Sequence, residues 1–345
     1  MPELTETLAA LTAEAKSRIL ILDGAMGTMI QAREPGEADF RGTRFTDWDK
    51  PLQGNNDLLN LTRPDMIEAI HGEFIAAGAD LVETNTFSAT SIAQADYAME
   101  ALAAEIAEEG AKAARRAAGS AGRPVGVLGA IGPTNKTLSL SPDVNNPGYR
   151  EVTFDQVQAA YQEQAAAMAP HIDAFLIETI FDTLNAKAAI KALVDLGTDL
   201  PIVISGTITD ASGRTLSGQT AEAFWYSVRH ARPWAIGLNC ALGAEAMRPH
   251  IAAIASLADT RVIAYPNAGL PNEFGEYDET PEQTSAQLGE WASSGLVNIL
   301  GGCCGTTPAH IAAIASAAKG KPPREIPSPA PAMRLSGLEP FELAG

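Results

Sequence analysis

Short apolar runs recur along the chain, each closed by a glycine or a polar residue. Between them lie longer stretches in which apolar positions return every three or four residues. Continuous apolar runs of this length predict strands covered on both faces, and the intervening periodicity predicts helices. The predicted strands are 19–24, 80–85, 124–130, 174–179, 201–206, 234–240, 261–265 and 297–300. A capping helix is expected within 1–18. Further helices are expected over 64–77, 91–118 (broken once), 154–169, 183–196, 220–231, 244–257, 281–293 and 308–318. Pro64, Pro281 and Pro308 sit where a first helical turn accepts proline, and Gly78 and Gly197 stand where helices stop.

Eight alternations of strand and helix predict an α/β fold, a (β/α)8 TIM barrel, with a doubly wound open sheet as the alternative. Loop lengths favour the barrel. Connections after strands are long and polar, at 25–63, 132–152 and 266–277, whereas those before strands are short, at 78–80 and 197–200. Barrels place their chemistry on the loops after strands. The Pro- and Asn-rich loop 132–152 is a lid candidate. Residues 1–320 form the expected barrel domain. Residues 321–345, with Pro322, Pro323, Pro327, Pro329 and Pro331, read as a Pro-rich C-terminal extension or linker.

Candidate chemistry collects where strands end. Cys240 closes the sixth run, and Cys303 and Cys304 follow the eighth, flanked by Gly301, Gly302 and Gly305. If both strands belong to one parallel sheet, the three sulfurs can converge. Three thiolates suit Zn²⁺ and leave its fourth position open for substrate. Buried unreactive cysteine also explains Cys240, and a vicinal disulfide is a strained alternative for the pair. The acids Asp23 and Glu178 can hold an ammonium group. The turn through Ala25 and Met26 can offer backbone N–H groups to a carboxylate. Together these describe a free amino acid, although each acid alone also reads as a helix cap or a loop ion pair. His71, His171, His230, His250 and His310 fall in or beside helices and read as packing or surface residues.

The net charge of −18 argues against nucleic-acid binding, and no apolar run reaches the length of a membrane span. Neither a Walker loop nor a GxGxxG follows the first strand, so nucleotide binding is unsupported. The N-terminus is unlike a signal peptide. With an odd number of cysteines, three, this indicates a reducing, cytoplasmic setting.

The motifs Asp23-Gly24-Ala25-Met26-Gly27-Thr28, Asn239-Cys240 and Gly301-Gly302-Cys303-Cys304-Gly305 resemble the homocysteine S-methyltransferase family. Glu83-Thr84-Asn85-Thr86-Phe87, the stretch 208–218, Tyr265-Pro266-Asn267-Ala268-Gly269-Leu270-Pro271-Asn272 and Leu335-Ser336-Gly337-Leu338-Glu339-Pro340 resemble the N-terminal homocysteine-binding module of cobalamin-dependent methionine synthase. The resemblance implies a barrel with zinc on Cys240, Cys303 and Cys304 at the C-terminal ends of its strands. It implies homocysteine as substrate and methionine as product. Asp23 and Glu178 are expected on the amino group, Asn85 and Asn239 as supports, and Asn267 at the open zinc position when substrate is absent. No Asp-x-His-x-x-Gly corrinoid signature is present. Methylcobalamin is therefore expected on a separate corrinoid-binding protein. Free donors, betaine or S-methylmethionine, are the alternative, and a non-catalytic zinc-thiolate protein is the alternative of another class.

Overall fold

The computed structural model describes residues 4–209 and 212–343. Asp210 and Ala211 of the 208–218 motif, and the two chain ends, lie outside the described residues. Eight parallel strands form one sheet: β1 (Leu20–Ile21), β2 (Leu81–Glu83), β3 (Gly126–Ile131), β4 (Ala174–Ile180), β5 (Ile202–Gly206), β6 (Ala235–Gly243), β7 (Arg261–Asn267) and β8 (Ile299–Leu300). Their order is β1-β8-β7-β6-β5-β4-β3-β2. A parallel bridge between Leu22 and Leu81 brings the ends together. Asp23 N–H donates to Leu81 O at 3.0 Å and Asp80 N–H to Ile21 O at 2.7 Å across the same gap. The sheet therefore closes into a (β/α)8 barrel, and the open doubly wound alternative falls.

Side-chain alternation sorts the strands into two layers. Leu20, Leu22, Leu81, Leu128, Leu176, Val203, Ile263 and Ile299 share one apolar cluster inside the barrel, floored by Leu8 and Leu11 of the helix Glu6–Glu14. Ile21, Val82, Ile177, Ile204, Ile236 and Val262 belong to the other cluster, with the surrounding helices. One inward step above the apolar floor, the same parity brings up Glu83, Glu178, Ser205 and Tyr265, and two steps bring up Asn239 and Asn267. The barrel is thus oily below and polar at its mouth.

Four helices, Thr183–Leu196, Ala244–Leu257, Pro281–Ser293 and Pro308–Ala318, match their expected spans. Elsewhere the structure departs from expectation. The stretch 25–63 is not a plain loop: it holds the helices Met26–Gln31, Glu37–Arg41 and Leu59–Thr62 and a 3₁₀ turn at Asn56–Leu58. Each is too short to show a period, and burial of Met29, Ile30, Phe40, Leu58 and Leu59 holds them in place. The 91–118 stretch breaks into Ser91–Gln94, two 3₁₀ turns and Ala103–Gly119, with Ala98 left-handed at φ 57°. Strand β6 continues three residues beyond Cys240. The C-terminal stretch ends in an antiparallel hairpin, β9 (Met333–Ser336) and β10 (Pro340–Leu343). Ser336 Oγ donates to Ala223 O, which lays the hairpin on the helix Ala221–Val228. Loop 132–152 has no regular structure, but one side of it is fixed: the Asp182 carboxylate accepts from Leu138 N–H, Ser139 N–H and Ser139 Oγ.

Candidate functional site

The three cysteines meet at the mouth. Cys240 Sγ lies 3.9 Å from Cys304 Sγ, and Cys303 Sγ lies 4.0 Å from Cys304 Sγ. All three sulfurs fall within 4.8 Å of one another, and all are free thiols. A tetrahedral zinc with bonds of about 2.3 Å spaces its sulfurs by roughly 3.8 Å. The cluster therefore fits Zn²⁺ with little rearrangement and leaves one coordination position open. By themselves the sulfurs share protons. Hydrogen bonds from Cys240 and Cys303 draw the Cys304 thiol down to about 3. Hydrogen bonding with Cys240 and Cys304, then burial, pushes Cys303 well above its ordinary value. A divalent ion lets all three become thiolates.

Local backbone aims these groups. Cys240 and Ala241 are left-handed, at φ 59° and 52°, where the β6–β7 register shifts between Asn239 and Gly243. A left-handed non-glycine residue costs of order 1–3 kcal/mol and persists only where its surroundings impose it. The Cys303-Cys304 turn is tied on both sides: Cys303 N–H donates to Pro266 O at 2.9 Å and Ala268 N–H to Cys304 O at 2.9 Å. Thr306 Oγ1 donates to Cys303 O at 2.7 Å. Gly305, at φ +82°, admits no side chain, because a Cβ there would stand 2.3 Å from Tyr277 Cβ.

Asn239, 0% exposed, connects the sulfurs to the acids. Its Oδ1 accepts from Thr179 N–H at 3.0 Å and Ser205 Oγ at 2.7 Å. Its Nδ2 donates to Thr179 Oγ1 at 2.8 Å and stands 3.9 Å from Cys303 Sγ. Thr179 is itself left-handed, at φ 54°, and follows Glu178 directly. The Asn239 amide thus fixes the bulge that presents Glu178.

Three carboxylates crowd together here. Both Asp23 oxygens accept from Glu83 N–H, at 3.1 and 3.3 Å. Burial, then the Cys304 sulfur, pushes the Glu178 carboxyl up to about 8. Burial and mutual repulsion also hold Asp23 and Glu83 well above the usual carboxylate range. Glu83 Oε1, Tyr265 OH, Thr207 Oγ1 and Asn267 Oδ1 are all buried without a hydrogen-bond partner. Buried polar groups are ordinarily paired, so four orphans at one mouth mark a place for a ligand.

The remaining expected residues are distributed as follows. Ala25 N–H is taken by Thr306 Oγ1 at 3.2 Å. Met26 opens the helix Met26–Gln31, so its N–H has no intrahelical acceptor. Asn85 Nδ2 is spent on Asn56 O at 2.9 Å and Asn60 Oδ1 at 3.0 Å, which anchors the 3₁₀ turn rather than meeting the sulfurs. His310 caps its own helix through Thr307, and its Nε2 meets Glu279 O at 2.9 Å, so both ring nitrogens are engaged away from the sulfurs. Glu83 and Tyr265 were not singled out as site residues, although both share the inward parity of Leu81 and Ile263.

A family model described as homocysteine S-methyltransferase matches residues 20–318. The fold is also that of the homocysteine methyltransferase MmuM from Escherichia coli. Its metallated form is 23% identical with a TM-score of 0.70, covering 90% of this chain and 99% of that one. Its apo form is 22% identical with a TM-score of 0.65, covering 90% and 100%. With the family model spanning the whole barrel and the three thiols gathered at its mouth, the chain belongs to the homocysteine S-methyltransferase family.

Proposed function

We propose that the chain is a zinc-dependent methyltransferase that converts homocysteine to methionine, taking the methyl group from a methylcorrinoid carried on a separate protein. The observation that carries the reading is the set of three sulfurs at tetrahedral spacing beside the buried carboxylates of Asp23 and Glu178 and the unpaired Oε1 of Glu83. Cys240, Cys303 and Cys304 would hold the metal, which supplies Lewis acidity that favours the substrate's thiolate at neutral pH. Asp23 and Glu178 grip the ammonium group, and the first-turn N–H of Met26 faces the carboxylate. Asn239 holds Glu178 in place and donates toward the Cys303 sulfur. Asn267 Oδ1, buried and unpaired, suits a weak ligand that substrate displaces. The thiol proton leaves to solvent. The substrate sulfur then bonds to the methyl carbon as the methyl–donor bond breaks, its electron pair staying with the donor. In-line attack needs the methyl within about 3–3.5 Å of the sulfur.

The rim supports a protein-borne donor. Leu140 and Val144 after β3, Leu216 after β5, and Leu270 and Phe274 after β7 are exposed, Val144 by 96%. Exposed apolar side chains on three loops that follow strands, the end of the barrel where the thiols lie, suit a docking partner. The barrel of residues 1–320 is the catalytic unit in this reading, with 321–345 as an extension, and reduced thiols suit a cytoplasmic setting.

A methionine-formation assay tests the proposal with methylcobalamin alone, methylcobalamin plus a corrinoid-binding protein, betaine, S-methylmethionine and methyltetrahydrofolate. Slow transfer from free methylcobalamin, strongly accelerated by the corrinoid protein, is expected. Fast transfer from betaine or S-methylmethionine without response to that protein would establish a free donor. Zinc content and homocysteine-dependent stabilisation without turnover from any donor would establish a binding protein.

A further inference from the structure

Glu83 is the last residue of β2, and its side chain shares the inward parity of Leu81. Its backbone N–H is already committed to Asp23, yet its Oε1 is buried and accepts nothing. A buried carboxylate oxygen without a donor costs free energy that nothing in the protein offsets. Glu83 belongs to no ion pair among the described residues; the charged groups acting on it are Glu178 and Asp23, both acidic. Tyr265 OH, in a residue 1% exposed, lies beside Glu178 and Ser205 without a well-formed hydrogen bond to either, in the same part of the mouth. A cationic donor within reach of all three acids would supply the missing hydrogen bond and relieve their mutual repulsion.

We propose that Glu83 is a third acceptor for the substrate's ammonium group, completing with Asp23 and Glu178 a site that takes one acid per N–H and so selects a primary α-ammonium. This rests on the homocysteine reading above. An ammonium has three hydrogens to donate, and Asp23, Glu83 and Glu178, at the ends of β1, β2 and β4, lie within electrostatic reach of one another. An N-methylated or deaminated thiol leaves one or all of these acceptors unsatisfied. Rejection built on unpaired buried polar groups is stronger than rejection built on apolar fit.

The test is calorimetric titration of the zinc-loaded protein, wild type and Glu83→Gln, with L-homocysteine and with 4-mercaptobutanoate, its desamino analogue. Zinc stoichiometry is measured in parallel. Glu83→Gln is expected to weaken homocysteine by about 10- to 100-fold, as loss of a hydrogen bond between charged groups does, and to leave 4-mercaptobutanoate within about twofold. Equal weakening of both ligands would show a merely structural role and overturn the proposal, as would unchanged homocysteine affinity. N-methylhomocysteine provides a check that needs no variant: it is expected to bind the wild type more weakly than homocysteine, and equal binding would overturn the proposal. If the wild type binds no homocysteine at all, the functional reading itself fails. Wild-type binding with an unaffected Glu83→Gln removes the role of Glu83 alone.

Discussion

Asn239→Ala probes the link between the sulfurs and the acids. The substitution removes one acceptor shared by two donors, Thr179 N–H and Ser205 Oγ, and one donor to Thr179 Oγ1. Each buried group left unpaired costs about 1–3 kcal/mol, and the terms are not additive. Release of the left-handed Thr179 offsets part of this, by about 1–3 kcal/mol. A net loss of roughly 2–4 kcal/mol of stability follows. The bulge then relaxes and Glu178 moves off the ammonium, so homocysteine affinity falls by about tenfold or more. Zinc remains, because all three sulfurs are intact. Urea unfolding, homocysteine titration and metal analysis on one preparation separate these effects. Unchanged homocysteine affinity in a variant that has lost the expected stability would refute the claim that Asn239 positions Glu178. Loss of zinc would show that its approach to the Cys303 sulfur, rather than its hold on Thr179, is the contact that matters.

Two further outcomes are expected. Replacing any one of Cys240, Cys303 or Cys304 by alanine should abolish stoichiometric zinc; a variant that keeps one zinc per chain and full activity would exclude that cysteine as a ligand. Asp57 is buried in the 3₁₀ turn Asn56–Leu58, and burial raises its carboxyl to about 7. The unfolded carboxyl titrates near the ordinary value, so the native state binds the extra proton between about pH 4 and 7, and stability falls as pH rises through that window. Asp57→Asn should therefore stabilise the protein by up to roughly 4 kcal/mol at pH 8 and by progressively less toward pH 4. Equal effects at pH 8 and pH 4.5 in thermal unfolding would disprove this origin.

The barrel was legible because both faces of its strands are covered, which makes each strand a continuous apolar run. Helices bounded by proline and glycine, such as Pro281–Ser293 and Pro308–Ala318, were legible to the residue. The short helices of 25–63 were not, since tertiary burial rather than periodicity stabilises them. The hairpin at Met333–Leu343 was hidden by the preceding prolines; its turn is held by a Gly337 N–H to Glu339 O bond at 3.2 Å. At the site, convergence of Cys240, Cys303 and Cys304 was readable from strand ends only on the condition that β6 and β8 share one parallel sheet, which they do. The left-handed backbone at Cys240 and Thr179 did not, because neither residue type signals it. Glu83 was readable in principle: stepping two residues from Leu81 places it inside the barrel. What the sequence could not supply was that its oxygen meets no donor there.

The gap between β1 and β2 gives the mouth a second character. Elsewhere around the cylinder neighbouring strands share ladders of two to six paired residues, but here a single bridge, Leu22 with Leu81, joins the first strand to the second. Above that bridge the fastening is the Asp23 carboxylate on Glu83 N–H. The same side chain proposed to hold the substrate's ammonium is thus also the top clasp of the cylinder. A guest gripped by Asp23 on one strand and Glu83 on the next would lie across the seam like a rivet. Catalytic occupancy and mechanical closure would then be one event, and the empty barrel would breathe most at the place where its substrate enters.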